Sequence, residues 1–123
     1  MTLTSLEIAK AIQEGEILIS LYTNLSHPIH VYARVDSGAS MSSIDYKLFQ
    51  MLHDCDGWTD GKPKFEYAER ETIVKSSLGK EKRSVVFVEF SWNDSEFVME
   101  MNSADRSKVS CPILLGRDWL GTN

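Results

Sequence analysis

The chain is poor in the residues that mark several protein classes. It has two cysteines, three prolines and seven glycines among 123 residues. Cys55 and Cys111 alone make no disulfide framework of the kind small secreted domains depend on. So little glycine and proline, beside 42% apolar and 25% charged residues, excludes collagen-like and low-complexity chains. No apolar run approaches the roughly 18 residues that a membrane span needs. The opening stretch, MTLTSLEIAKAIQEGE, lacks the basic start and apolar centre of a secretory signal. These absences predict a cytoplasmic protein with reduced thiols and no membrane partner. A surplus of basic charge is missing as well. The net charge is −5, which disfavours a generic nucleic-acid binder.

What is present suits a single domain with a modest core, burying about two-thirds of the extended chain's surface. Residues 4 to 14 read as a short helix. Thr4 and Glu7 stand at capping-box spacing, Ile8, Ala11 and Ile12 share a face, and Gly15 is a stop. Ile17 to Tyr22 reads as a strand, and Thr23 to Pro28 as a turn. From Ile29 to Val35 apolar and polar residues alternate, the pattern of a half-buried strand. Asp45 is placed to cap a helix from about Tyr46 to His53, with Leu48, Met51, Leu52 and Cys55 as its buried stripe. Residues 54 to 64 read as a loop, and Phe65 to Val74 as extended. Ser84 to Trp92 and Glu96 to Met101 form a hairpin pattern around Asn93-Asp94-Ser95. Cys111 to Leu115 is a last short strand, ended by Gly116, and Asp118 to Leu120 starts a helical turn. The sum is an all-β chain, mainly strands with two or three short helices.

Two segments carry chemistry. The first is Val35-Asp36-Ser37-Gly38-Ala39-Ser40, where an acidic residue ends an apolar strand and enters a loop of small residues. A carboxylate at the tip of a rigid element is well placed for general acid or base work. The second is Ile113-Leu114-Leu115-Gly116-Arg117-Asp118, an apolar strand whose glycine can pass close beneath a loop. Taken alone, Asp36 is as well explained as a loop cap.

In this order the two segments resemble the retropepsin-type aspartic proteases, single-domain chains of which two copies build one active site. The family's Asp-Thr/Ser-Gly-Ala loop matches Asp36 to Ala39, and its apolar-apolar-Gly-Arg element matches Leu114 to Arg117. Within that group the chain is similar to the cellular branch called RimK-associated ATP-dependent zinc proteases. The matching stretches are Ser42-Ser43-Ile44-Asp45, Asp105-Arg106-Ser107 and Leu115-Gly116-Arg117. The branch's name finds no echo in the residues. Neither a G-x-x-x-x-G-K-[ST] phosphate loop nor an HExxH zinc motif is present.

The resemblance implies an acid-protease β-barrel, one lobe per chain, over residues 16–123, preceded by a helical extension at 1–15. It implies Asp36 as the catalytic residue, contributed by each subunit of a homodimer. Ser37, Gly38, Ala39 and Ser40 would meet substrate from below. Ser77, Leu78, Gly79 and Lys80, at the tip of a flap spanning Val74 to Arg83, would meet it from above. Leu115, Gly116 and Arg117 would support the site. No cofactor and no metal are expected. Retroviral members have an acidic residue where this chain has Ser40, so Asp45 or Asp118 is the expected substitute partner for Arg117. Many relatives also continue past Leu-Gly-Arg with an interface strand, whereas three residues follow Leu120 here. The flap carries Lys75, Lys80, Lys82 and Arg83 against Glu81. That predicts a peptide or protein substrate of acidic character, glutamate tails among them. A solvated hairpin tip is the plainer reading.

Other residues are weaker candidates. His27 and His30, with His53 or Cys55, lack the four clear ligands of a structural zinc site. Cys111 reads as a core thiol, and Trp58, Trp92 and Trp119 as core or interface anchors. Three functions remain in view: an aspartic endopeptidase working as a homodimer, a non-catalytic retropepsin-like domain that binds a peptide or protein, and, weakest, the metal-dependent peptidase that the branch's name implies.

Overall fold

The computed structural model describes residues 2–22, 28–55 and 65–121. His27, Trp58, the turn at 23–27 and most of the loop at 54–64 lie outside them. The elements run α1 (Ser5–Glu14), β1 (Glu16–Leu21), β2 (Ile29–Val35), β3 (Ser43–Asp45), α2 (Tyr46–Cys55), β4 (Glu66–Ser76), β5 (Gly79–Trp92), β6 (Ser95–Ala104), β7 (Ile113–Leu115) and α3 (Arg117–Leu120). The chain is all-β in class, with short helices.

The strands form one sheet in the order β1-β2-β7-β3-β6-β5-β4. β1 also pairs with β5, through Ser20 with Ser91 and Leu21 with Phe90, so the sheet closes on itself. β4 lies along the other half of long β5 and extends past the ring. Inside the ring β2 runs parallel to β7 and β3 parallel to β6, while β3 and β7 are antiparallel. This crossing brings the ends of β2 and β7 side by side, and with them the two segments singled out in the sequence.

The core follows from alternation. Ile17, Ile19 and Leu21 of β1 point inward, as do Ala33 and Val35 of β2, Val86, Val88 and Phe90 of β5, and Ile113 and Leu115 of β7. Each of the larger of these side chains, Val, Ile, Leu or Phe, contributes roughly 2 kcal/mol on burial. His30, Tyr32 and Arg34 face outward, as their spacing predicts.

α1 forms as its capping residues dictate. The Glu7 N–H donates to Thr4 Oγ1 and the Thr4 N–H to Glu7 Oε1. The bond from the Thr4 N–H holds the Glu7 carboxyl below the usual carboxylate range. Leu3 and Ala11 join the barrel core, and the Val35 N–H donates to the Gly15 carbonyl at 2.7 Å. Ile12, expected on the same face as Ala11, is exposed.

α2 begins where Asp45 caps it, with Oδ2 accepting from the N–H groups of Lys47 and Leu48. Its buried stripe differs from the expected one. Phe49 and Leu52 are buried and Leu48 partly so, while Met51 and Cys55 face solvent. The aromatic ring at 49 wins the inward position because Tyr67 of β4 packs edge-on against it.

The β5–β6 turn is two residues, Asn93-Asp94, both at positive φ, and Ser95 already pairs with Trp92. That is the type I′ geometry favoured in tight hairpins. β4 is interrupted by a bulge between Tyr67 and Glu71, where Glu69 takes φ 58. Among the described residues, no helix is long and apolar enough to cross a membrane.

Candidate active site

Asp36 is the first residue past β2. Its N–H donates to the Leu115 carbonyl of β7 at 2.9 Å, so the main chain is locked to the neighbouring strand. Its side chain is half-buried, and Oδ1 accepts from the Gly38 N–H at 2.8 Å. The Ala39 N–H closes the turn onto the Asp36 carbonyl. Ser37, Gly38 and Ser40 are exposed, and Ala39 is half-buried.

A second segment braces this loop from behind. Gly116 follows β7 and passes directly under Ala39. A Cβ at position 116 would sit 2.6 Å from the Ala39 carbonyl oxygen. Its φ of −101 is open to any residue, so glycine is required here for space and not for backbone freedom. The next N–H, of Arg117, donates to that same Ala39 carbonyl at 2.8 Å, and Arg117 Nη1 donates to the Ser37 carbonyl at 3.2 Å. The expected carboxylate partner for Arg117 is not Asp45 or Asp118. Asp45 is spent on the α2 cap and on the Arg106 N–H, and Asp118 turns to Ser42. Arg117 instead holds the loop at two carbonyls, with its main-chain N–H on Ala39 and its guanidinium on Ser37.

Ser42 is the hub of the brace and is fully buried. Its N–H and Oγ–H donate to the two Asp118 oxygens at 2.9 and 2.7 Å. Its Oγ accepts from the Gly116 N–H at 3.0 Å. Its carbonyl accepts from the N–H and the Nδ2 of Asn102 on β6. α3, which carries Asp118, is anchored by Trp119, whose ring packs edge-on to Trp92 and Phe97.

The Asp105-Arg106-Ser107 segment is a structural support. Ser107 donates through its hydroxyl and its N–H to Asp105, which holds that carboxyl below its usual range. Arg106 Nε donates to the Cys111 carbonyl at 3.0 Å, and burial lowers the guanidinium from its usual value.

Opposite the loop stands the β4–β5 hairpin. Lys75 pairs with Lys80 and Ser76 with Gly79, leaving Ser77-Leu78 as the turn. Leu78 is 98% exposed. An open cleft of about 450 Å³ separates hairpin and loop, lined by Gly38 to Met41 below and Thr72 to Lys75 above, with Asn102 at its floor. Three of the expected substrate contacts, Gly38, Ala39 and Ser40, therefore line one cleft. Asp36 and Ser37 adjoin its rim and are not part of the lining. Ser77, Leu78, Gly79 and Lys80 sit at the hairpin tip, beyond it. The upper wall comes instead from the β4 arm: Val74 and Lys75 belong to the expected flap, while Thr72 and Ile73 precede it. Asn102 stands in no distinctive motif, and the sequence marks Ser42 only as part of the Ser42-Ser43-Ile44-Asp45 stretch, with no role of its own; the β3–β6 pairing brings the two together.

His30 is exposed on the outer wall, with Nδ1 2.8 Å from Ser20 Oγ. His53 Nδ1 lies 2.7 Å from the Phe65 carbonyl. Among the described residues, no three His, Cys, Asp or Glu side chains converge to hold a metal ion.

No protein-family model matches the chain, and no curated protein matches it. Solved structures do. The simian foamy virus (mac) protease superposes with a TM-score of 0.53 at 14% identity, over 86% of this chain and 91% of that one. A Legionella pneumophila protein of unknown function superposes with a TM-score of 0.50 at 17% identity, over 86% of this chain and 83% of that one. At such identities the likeness establishes the architecture: this chain has a retropepsin-like fold.

Proposed function

We propose that the protein is an aspartic endopeptidase of retropepsin type. The observation that carries this reading is Asp36 itself. Its carboxylate ends a buried strand and its main chain is bonded to β7. The loop behind it is braced by Gly116, Arg117 and Ser42, beside a peptide-sized cleft roofed by a hairpin. Peptide hydrolysis at carboxylates needs two groups about 3 Å apart that share one proton. One, ionised, draws a proton from water; the other, protonated, donates to the scissile carbonyl. The chain supplies one such loop, so the second Asp36 comes from a second copy around a two-fold axis. Ser37 and the hairpin tip then stand beside the partner, which fits their exposure.

The charge of the roof supports an acidic peptide as substrate. Lys75 lines the cleft and lies directly across from Lys80. Like charges in that position repel, and an anionic ligand would relieve them. Ser42-Ser43-Ile44-Asp45 and Asp105-Arg106-Ser107 support kinship with the cellular RimK-associated branch.

The test is cleavage of a mixed peptide library, glutamate-rich chains included, from pH 4 to 8. The parent is expected to cleave and Asp36→Asn to be inert; cleavage by both would overturn the reading. Neutralising Lys75, Lys80 and Lys82 should remove any preference for acidic peptides. A second reading, a peptide-binding domain without catalysis, draws on Ser40 and on Arg117, which among the described residues bonds to backbone carbonyls. It predicts a chain that binds peptides equally well with and without Asp36→Asn and cleaves none.

A further inference from the structure

The brace behind the Asp36 loop does not end at Asn102. Asn102 is 1% exposed, and both ends of its amide are engaged. Nδ2 donates to the Ser42 carbonyl, while Oδ1 accepts from Ser43 Oγ at 2.7 Å and from Arg83 Nη1 at 2.9 Å. Arg83 belongs to β5 within the hairpin and stands opposite Thr72, one of the cleft's upper residues. Its other terminal nitrogen, Nη2, donates to exposed Glu81 at 3.1 Å. Its Nε is buried without a hydrogen-bond partner. Leaving a charged group's donor unpaired in this way is costly. Packing alone would be better served by an apolar side chain at 83. An unbroken line of hydrogen bonds thus runs from the hairpin to the loop, through Arg83, Asn102, Ser42 and Gly116.

We infer that Arg83 is a positioning residue: through Asn102 it couples the seating of the β4–β5 hairpin to the geometry of the Asp36 loop. When the hairpin settles over a bound peptide, the Arg83–Asn102 bond is held, and Asn102 fixes the Ser42 carbonyl. Ser42 in turn holds the Gly116 N–H beneath Ala39. When the hairpin lifts, Asn102 loses one of its two donors and the brace loosens. This inference rests on the peptidase reading for its purpose, though its physical content is a coupling between two regions.

The experiment is amide hydrogen exchange on the full chain, comparing the parent with Arg83→Met and Arg83→Lys. Methionine keeps an unbranched apolar stem and removes the donors; lysine restores one donor toward Asn102. The coupling predicts that Arg83→Met speeds exchange of the Gly116 and Arg117 amides about tenfold or more. Amides of β1 and β2 should be unchanged, and Arg83→Lys should recover most of the protection. Faster exchange confined to the hairpin, or spread evenly over the barrel, would overturn the inference. On a peptide found to be cleaved, Arg83→Met should lower kcat and leave KM within about twofold, because Arg83 is not in the cleft lining. A rise in KM alone would make it a binding residue instead. Exchange needs no catalysis, so its result stands apart from whether Asp36→Asn abolishes cleavage.

Discussion

The two walls of the cleft are built on opposite terms. The lower wall is a loop of small residues with almost no side chains of its own to hold it. Its rigidity is borrowed: from β7 through Leu115, from Gly116 beneath it, and from the buried Ser42, Asp118 and Asn102. The upper wall is a long hairpin whose arm and tip present exposed side chains. Ile73 is 58% exposed, Leu78 is almost wholly so, and two lysines face each other near its tip. A carboxylate that must meet its twin within hydrogen-bond reach needs the first kind of support. A roof that must open for a peptide and close over it needs the second. On the proposed peptidase reading, a loosely held roof and a firmly held loop would each serve the reaction.

That contrast can be broken most severely at Gly116. Gly116→Ala forces a methyl group against the Ala39 carbonyl, where neither backbone can yield. A loss of about 3 kcal/mol in unfolding free energy is expected, measured by denaturant titration, with peptidase activity lost as well. Ser42→Ala comes next. It strips a buried hydroxyl that serves both Asp118 and the Gly116 N–H, and should cost about 2 kcal/mol in the same titration. On the roof the signs and sizes change. Lys80→Thr removes the like-charge pair with Lys75 and places a β-branched residue in a strand, so stability should rise by about 0.5 kcal/mol. Leu78→Ser should change stability by less than about 0.5 kcal/mol, because the side chain is already in water. It should nonetheless weaken peptide cleavage, seen as a higher KM. Equal destabilisation at the two walls would dissolve the contrast.

The sequence made some of this arrangement legible and hid the rest, for physical reasons. The α1 cap, the β2 alternation and the hairpin at Asn93-Asp94 are local, and each was readable from spacing or turn chemistry. So were the two segments around Asp36 and Gly116, each weak alone and made specific by their order and separation. The sequence alone could not reveal that β3 is a strand, since Ser43-Ile44-Asp45 is too short to show a period. It could not show that Ser42, Asn102 and Asp118 meet, because their contact depends on the crossing of β3, β6 and β7. Arg117 misled in the other direction. Its charge suggested a carboxylate partner, while the folded chain offers it carbonyls and assigns Asp45 and Asp118 elsewhere. α2 shows the same lesson in packing: the ring of Phe49 took the inward position that spacing had given to Met51.

The central claim is that one Asp36 from each of two chains makes the site. It is tested most directly by mixing parent and Asp36→Asn chains at a fixed total concentration, after exchange of subunits, and following cleavage of one peptide. A shared dyad predicts that activity falls as the square of the parent fraction, because every mixed dimer carries one carboxylate and one amide. A fall in simple proportion to the parent fraction would place the chemistry within a single chain. Full activity in the pure Asp36→Asn protein would remove Asp36 from it altogether.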